Sequence, residues 1–446
     1  MHRPIEIIGN RSPRQQRSFI ARATAAGAVL TALAVTAACS SSSSSSGASS
    51  GNAAAGAAGS SPGVNSSTIK IGLLTSFTGP LAATFSTVAT GFEARIALQN
   101  AQGGVDGRKI QVVQGDDQGA APQALAAAKT LVQQDNVFAV AGLGTYMFAA
   151  SPYLKQQNIP VVGYSIDGGP EWAPPYTNTV AVLGSPNLSH PAPVAWGSFL
   201  KSHGATSVAA VGAAAPSAQV IAKNIVASAK AAGLKAPYLN TTIPLSQTAG
   251  FDSVVQAIKA SGADAVTMSQ GTAADLGLLS AIQQAGLKLK VTLVLPPVPG
   301  VSINNAQVKS ELAGTWSGWP VLPPIEKNAS NTRITDALAT YEKQTTLPDQ
   351  NELAAWASAD AIIKGLQQAG KDPTRQTFLT ELKGMTAFDG GGTSLGPADI
   401  TKAFGAGAQD AGPSPGDCIA FTQFTGEAYQ NPSTVCGGLV PNSDAS

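Results

Sequence analysis

Residues 68–117 of this chain decide its fold, and they read TIKIGLLTSFTGPLAATFSTVATGFEARIALQNAQGGVDGRKIQVVQGDD. They open with an apolar run rich in β-branched residues, Ile69–Leu74, and such a run predicts a buried strand. After a polar loop, Val88, Phe92 and Ile96 recur at helical spacing, which predicts a helix with one apolar stripe. The stretch therefore begins as strand, loop and helix.

The second half of the stretch completes this unit. The pair Gly103-Gly104 is predicted to end the helix, and Asp106-Gly107 is typical of a tight turn before a second strand, Ile110–Val113. On the helix, Arg95 and Gln99 are expected to face away from the core. A crossover of this length makes the two strands parallel, so the sequence predicts an α/β fold.

The loop after the first strand, residues 75–80, is the first candidate for a binding site. In open parallel sheets, ligands bind where the strands end and the helices begin. The hydroxyls of Ser76 and Thr78 suit a small polar ligand there. The same residues also fit a structural role, capping the helix and shaping the turn, and the sequence leaves both roles open.

Strands and helices alternate along the rest of the chain. Polar loops follow the predicted strands at 137–141 and 159–162, and the alternation restarts at residue 193 after a predicted crossing at 179–189. This repetition predicts a second doubly wound domain. Trp316–Trp319 is expected to lie in a crossing that returns the chain to the first domain.

Composition and motifs exclude several classes of function. With 12% charged residues and a formal net charge of +1, the chain has no electrostatic attraction to nucleic acid. Beyond the N-terminal segment the only histidines are His190 and His203, which argues against a His-rich metal site or a catalytic triad. Gly142-Leu143-Gly144 lacks the third glycine of a dinucleotide fingerprint, and around Ser165 a Gly-x-Ser-x-Gly pattern has Asp167 in place of its last glycine. We therefore expect no enzyme, no cofactor and no metal.

The N-terminus is typical of an exported chain. Arginines recur through residues 1–22, and residues 23–38 carry no charge and end in small residues before Cys39. This pattern predicts a lipoprotein signal over residues 1–38, with Cys39 lipidated as the first mature residue. An ordinary cleaved signal with an incidental cysteine is the alternative. Residues 39–67, nearly all Ser, Ala and Gly, predict a flexible tether, so the protein is expected at the outer face of the cell membrane.

The two remaining cysteines, Cys418 and Cys436, form an even pair in a chain that is expected to be exported. We expect a disulfide between them, worth about 3 kcal/mol by loop-closure arguments. Two free thiols are the alternative.

The first stretch resembles a known family. The resemblance lies in the order of three segments: Thr78-Gly79-Pro80, a helix start that bears an aromatic residue, and residues 99–117. This order is similar to the N-terminal signature of the leucine/isoleucine/valine-binding proteins, which are the extracytoplasmic solute receptors of ABC importers. The residues that fall where the family pattern has them are Asn100, Gly103, Gly104, Gly107, Asp116 and Asp117. The similarity runs from about Thr68 to the end of the chain.

The resemblance implies the type I periplasmic-binding fold. In that fold two doubly wound parallel-sheet lobes are joined by three crossing segments. The implied division gives residues 68–188 plus 320–410 to lobe 1 and residues 189–319 plus 411–446 to lobe 2.

The resemblance also implies a set of ligand-binding residues. In the family, loops at the strand ends hold the α-carboxylate and the α-amine of the ligand through hydroxyls and backbone groups. The matching residues in lobe 1 are Thr145, Tyr146, Tyr164, Ser165 and Asp167, with Phe85 as a wall of the cleft.

Three departures from the family pattern concern the ligand. Ser217 lies in an alanine-rich loop where a Tyr-Gly pair is usual, Gln270-Gly271 stands in place of an aromatic-rich loop, and Pro296-Pro297 replaces an acid that pairs with the ligand's ammonium. Ser217, Gln270, Gly271 and Pro297 are still expected to line the cleft. An ammonium buried without a carboxylate costs several kcal/mol, and Asp167 is the only acid expected nearby. We therefore predict a ligand that is less polar than a branched-chain amino acid, or uncharged.

The sequence thus predicts a solute-binding protein. It is expected to be a monomer that closes its lobes on a small organic solute and delivers it to the permease subunits of an ABC importer. One alternative is a sensory domain that presents its ligand to a signalling partner, and another is a secreted enzyme that uses the same cleft. The nearest approach to a catalytic carboxylate pair, Asp116-Asp117, is better explained as part of a turn.

Overall fold

The computed structural model describes residues 61–167, 169–172, 175–183, 192–403 and 418–440. The predicted signal and Cys39 lie outside these residues. The strands are β1 Thr68–Thr75, β2 Lys109–Asp116, β3 Ala139–Gly142, β4 Val161–Gly163, β5 Thr179–Ala181, β6 Ser207–Ala213, β7 Lys235–Ile243, β8 Ala265–Ser269, β9 Val291–Val294, β10 Trp316–Trp319, β11 Ile419–Phe424 and β12 Tyr429–Val435.

Helices lie between most of these strands. They are α1 Ala82–Phe85, α2 Val88–Ala101, α3 Ala121–Gln133, α4 Met147–Gln156, α5 Ala195–Ser202, α6 Pro216–Ala231, α7 Asp252–Ser261, α8 Thr272–Gln284, α9 Gly300–Ile303, α10 Ala306–Leu312, α11 Ala329–Ala337, α12 Gln350–Ala369 and α13 Arg375–Lys383. Short 3₁₀ turns lie at Pro170–Trp172 and Ile400–Ala403, and a π-helical turn at Leu338–Glu342 follows α11.

The first sheet has the strand order β2-β1-β3-β4-β5 and is parallel throughout. Ile71 of β1 lies opposite Val112 of β2 and Ala139 of β3, so the predicted parallel pair is confirmed. The expectation that the chain begins to cross at residue 179 is wrong, because Thr179–Ala181 is the last strand of this sheet. Three buried residues are too few to show a periodic pattern in the sequence.

Helices cover both faces of the first sheet. Along β1, Leu73 packs into the core shared with α2 and α12, whereas the next residue, Leu74, packs into the core shared with α3 and α4. Successive strand residues point to opposite faces, so a doubly covered strand needs consecutive apolar residues, as Ile71–Leu74 provide. Lobe 1 is therefore doubly wound, as predicted.

The polar side of α2 is a second correction. Arg95 and Gln99 were expected to face away from the core, but both are buried because α12 lies over them. The Arg95 guanidinium donates to Asp360 Oδ1 of α12 at 2.8 Å. The partner lies 265 residues later in the chain, so the local pattern of α2 does not reveal it.

The second sheet has the strand order β12-β11-β10-β9-β8-β6-β7. Strands β6 to β10 are parallel to one another, but β11 is antiparallel to both β10 and β12, so the prediction of a purely parallel sheet is wrong at this edge. Trp316–Trp319, expected in a crossing, is instead strand β10. The disulfide between Cys418 and Cys436 is present and joins the two ends of the β11–β12 hairpin.

Helices also cover both faces of the second sheet. α7 and α8 pack on one face through residues such as Ile258 and Leu278, and α5 and α6 pack on the other through Phe199 and Ile225. The chain passes between the sheets after residue 183, after residue 319, and between residues 403 and 418. The first and third passages include residues outside the described ranges, and the exact lobe boundaries stay a prediction.

The end of the predicted tether packs on lobe 1. Val64 is buried in the core that contains β1, and Asn65 Oδ1 accepts hydrogen bonds at 2.8 Å from the backbone N–H groups of Ser67 and Thr68. A single apolar residue within a Ser/Ala/Gly-rich segment is too weak a signal to predict this contact. Among the described residues, no helix combines the length and the apolar character needed to cross a membrane.

Candidate functional site

A cavity lies between the two lobes, at the edge where the strands of both sheets end and the following helices begin. The space between the lobes amounts to about 1030 Å³ when its part open to solvent is counted, and the centre of a water molecule can occupy about 130 Å³ of it. Both lobes contribute to its wall, through Phe85 and Tyr164 from lobe 1 and Ser217 and Gln270 from lobe 2. None of the described residues that line this cavity carries a charged side chain.

Tyr164 provides the main polar group on the lobe 1 side. It directly follows β4, and its hydroxyl accepts a hydrogen bond from Gln350 Nε2 at 2.8 Å. Burial raises the pKa of Tyr164 to about 12, so its hydroxyl stays neutral. Thr145, just before α4, and Gln350, the first residue of α12, also line the cavity. This side therefore offers hydroxyl and amide groups without a charge.

Two helices of lobe 2 begin at the cavity. Ser217 lies in the first turn of α6, and Gln270-Gly271 directly precedes α8. The backbone N–H and the Nε2 of Gln270 donate to Asp275 Oδ1 at 3.1 and 3.2 Å. Burial raises the pKa of Asp275 to about 8, against the hydrogen bonds from Gln270, so this acid is mostly protonated at pH 7. The Asp275 carboxyl group behind Gln270 is thus mostly uncharged as well.

The two lobes touch at the cavity wall. The backbone N–H of Thr272, the first residue of α8, donates to Thr84 Oγ1 of α1 at 3.2 Å. Gly271 has a φ of +103°, and a Cβ there would lie 3.1 Å from Thr84 Oγ1. Glycine therefore suits this position for both its backbone conformation and the close approach of the lobes.

Six of the predicted ligand-binding residues line the cavity. They are Phe85, Thr145, Tyr164, Ser217, Gln270 and Gly271. The other six do not line it, and they are Ser76, Thr78, Tyr146, Ser165, Asp167 and Pro297.

The first predicted loop is held by two acids of lobe 1. Ser76 Oγ donates to Asp117 Oδ1 and Thr78 Oγ1 donates to Asp116 Oδ2, each at 2.5 Å. Asp116 Oδ1 also accepts from the backbone N–H groups of Phe77 and Thr78. Neither α1 nor α2 has a side-chain cap, so the expectation that these hydroxyls cap the helix is wrong, and they shape the loop by binding the two acids instead.

Asp167 is occupied by contacts within lobe 1. It accepts hydrogen bonds from Trp172 Nε1 at 2.6 Å and from the backbone N–H of Phe148 at 2.9 Å. Burial, together with the neighbouring Asp167, raises the pKa of Glu171 to about 10, so these two carboxyl groups hold a proton between them. Asp167 is therefore not placed to pair with a ligand's ammonium.

The last of these residues lie beside the cavity. Tyr146 packs against Phe148, with ring centroids 5.9 Å apart, and Ser165 is buried. Pro297 is also buried, but its neighbour Pro296 lines the cavity.

The sequence missed several lining residues. Trp196, Ile221 and Asn224 lie on α5 and α6 of lobe 2, and Thr84 and Gln350 lie on α1 and α12. One signal was present, because Ser217, Ile221 and Asn224 are spaced by four and three residues and share one face of a helix. Among the described residues, no group of three or more His, Cys, Asp and Glu lies together as a metal site requires.

Comparison with known proteins gives consistent matches. A profile of the periplasmic binding proteins matches residues 68–414. The Leu/Ile/Val-binding protein homolog 3 of Brucella melitensis is 24% identical over 305 residues, which is 68% of this chain and 79% of that protein.

Two solved structures illustrate the likeness in fold. A fatty acid ABC transporter substrate-binding protein from Thermomonospora curvata has a TM-score of 0.70 and 18% identity, over 86% of this chain and 96% of that chain. A solute-binding protein of an ABC transporter from R. palustris, in complex with benzoate, has a TM-score of 0.67 and 17% identity, over 85% of this chain and 99% of that chain. At these identities the likeness concerns the fold alone.

Proposed function

The chain belongs to the periplasmic binding protein family, which includes the leucine/isoleucine/valine-binding proteins, and from this premise we infer its function. We propose that it binds a small organic solute without an ammonium group and delivers it to an ABC importer. The solute binds between the two lobes and has an apolar body. Closure of the lobes is the signal that the permease reads. The site binds its ligand without changing it chemically.

The observation that carries this proposal is the uncharged lining of the cavity. An amino acid brings both an ammonium and a carboxylate, and a buried ammonium needs an acid as its partner. Asp167 is held by Trp172 and Phe148, and Asp275 is mostly protonated at pH 7 behind Gln270. A carboxylate is tolerated more easily, since helices begin at the cavity and the N-terminus of a helix favours negative charge.

Two of the similar structures indicate that this fold can accept ligands of this kind. One is described as a fatty acid transporter component and the other holds benzoate, and neither ligand contains an ammonium group. The curated relative is named for leucine, isoleucine and valine, but only 24% of its residues are identical in the matched region.

Three compounds with the same branched carbon chain test the proposal by calorimetric titration: 4-methylpentanamide, 4-methylpentanoate and leucine. We expect the amide or the carboxylate to bind. Leucine, which differs from the carboxylate only by its ammonium, is expected to bind at least about a hundredfold more weakly, because an unpaired buried charge costs about 3–5 kcal/mol. Micromolar or tighter affinity for leucine would refute this choice of ligand.

We also propose that Cys39 carries the lipid that anchors the protein outside the cytoplasm. The supporting pattern is a basic start, an uncharged stretch and small residues before that cysteine. The expected result is that Cys39→Ala releases the protein from the membrane fraction, whereas an ordinary signal peptide predicts no change. Permease and ATPase genes beside this gene would favour import, and a kinase gene would favour sensing.

A further inference from the structure

The cavity has two ends of different chemistry. At the seam between the lobes, hydroxyl and amide groups from Thr84, Thr145, Tyr164, Gln270 and Gln350 line the cavity beside the apolar Leu81, Phe85 and Ile166. Deeper in lobe 2 the lining comes from that lobe alone and is apolar except for one amide. We call this deeper part the α6 channel, and its wall is formed by Pro193, Trp196, Ile221, Asn224, Leu295 and Ile419.

The α6 channel follows one face of helix α6. Ser217 at the seam, Ile221 and Asn224 lie on that face, and at 1.5 Å per residue they span about 10 Å. One turn beyond Asn224, Ser228 Oγ donates to the backbone oxygen of Pro193 at 2.7 Å, and Pro193 also lines the cavity. The eleven helical steps from Ser217 to Ser228 correspond to about 16 Å, so the channel is about 10–16 Å long.

Trp196 of α5 forms part of the channel wall and is held firmly. Its ring packs edge-on against Phe421 of β11, with centroids 5.5 Å apart, and the residue is 9% exposed. A Cβ on Gly318 of β10 would lie 2.5 Å from the same ring, so the absence of a side chain at Gly318 gives the ring its place. The channel therefore has a fixed wall built from the apolar core of lobe 2.

We propose that the solute is an elongated amphiphile, with its polar end at the seam and an unbranched hydrocarbon chain in the α6 channel. This inference rests on the proposed function. A compact solute at the seam leaves the apolar wall without contacts, whereas a chain gains dispersion and burial energy along the whole channel. An extended chain advances about 1.2 Å per bond, so a channel of about 10–16 Å takes roughly 8–13 carbon atoms.

A homologous series tests the chain directly. Straight-chain carboxylic acids of four to fourteen carbons, and the matching primary amides, are titrated into the purified full chain below their aggregation concentrations. Each added CH₂ is expected to tighten binding about fourfold until the channel is full at roughly 8–13 carbons, after which the affinity levels off. An affinity that does not change with chain length would overturn the inference.

Variants of Ile221 locate the chain within the molecule. Ile221→Phe places a ring in the channel, and it is expected to weaken binding of the longest well-bound acid at least tenfold while the four-carbon acid changes less than twofold. Ile221→Ala provides a second variant, with a smaller loss that is again confined to long chains. Val220→Phe is the matched control, because the next helical residue points about 100° away and does not line the cavity. Equal losses for short and long chains would contradict a chain in this channel.

The test separates failure of this inference from failure of the proposed function. If the branched amide, benzoate or the short acids bind and chain length has no effect, the solute is compact, the chain inference is wrong and the proposed function stands. If no uncharged or monoanionic compound in either panel binds, the proposed function itself is wrong.

Discussion

Replacing Thr84 by valine removes the hydrogen bond that joins the two lobes directly. In the structure the N–H of Thr272 donates to Thr84 Oγ1 at 3.2 Å, and both residues are buried. Valine keeps the shape of threonine, so the change leaves an unpaired N–H in the closed form, whereas opened lobes expose that N–H to water. An unpaired buried donor costs about 1–3 kcal/mol, and the length of this bond favours the lower half of that range.

The free energy is lost only when the lobes are closed, so it appears in the closing equilibrium. We expect Thr84→Val to weaken solute binding about 5- to 30-fold and to shift the average lobe separation toward the open form. Thr84→Ser keeps the hydroxyl and is expected to bind nearly as tightly as the wild type. Calorimetry with the best compound from the panels measures the affinity, and small-angle X-ray scattering with and without that compound measures closure. Wild-type affinity in the valine variant would refute a role for this contact in closure.

Three further predictions concern stability, each measured by chemical unfolding. Arg95→Leu is expected to lower the free energy of unfolding by about 3 kcal/mol, because Asp360 is left buried with only Lys364, 3.0 Å away, as a partner. Replacing Asp360 by leucine as well is expected to recover most of this loss. The pKa of Asp275 is about 8 in the folded protein, above its unfolded value, so its contribution to stability falls as pH rises from about 4 to 8. In that window the free energy of unfolding of Asp275→Asn is expected to rise relative to the wild type by about 1.4 kcal/mol per pH unit. Parallel pH profiles of the two proteins would contradict this. Cys418→Ser opens a disulfide of sequence separation 18 and is expected to lose about 3 kcal/mol, whereas an unchanged unfolding midpoint would argue against a stabilising bond.

Much of the fold was predictable because its signals are local. The apolar run of β1, the helical spacing in α2 and the glycine-rich turn before β2 each lie within a few residues of one another. Chain length and handedness then restrict the connection of two such strands to a parallel crossover. Two short strands were harder to predict, since β5 is three residues long and β10, with two tryptophans, has no alternating pattern.

The candidate site was predictable only in part. Tyr164 and Ser217 follow strands, and the rule that ligands bind at strand ends places them correctly at the cavity. Ser76 and Thr78 follow a strand as well, but Asp117 and Asp116 take up their hydroxyls. The sequence shows that a hydroxyl is present and does not show which distant acceptor it finds.

The sequence by itself determined the two doubly wound lobes, the disulfide and the absence of the usual acid near Pro296. Only the tertiary structure decided that Arg95 is buried, that Asp167 is held inside lobe 1, and that the cavity continues along α6 toward Trp196. The physical reason is the range of the interactions. Periodicity and turn chemistry act between near neighbours in the chain, whereas burial, ion pairing and the shape of a cavity depend on residues that only folding brings together.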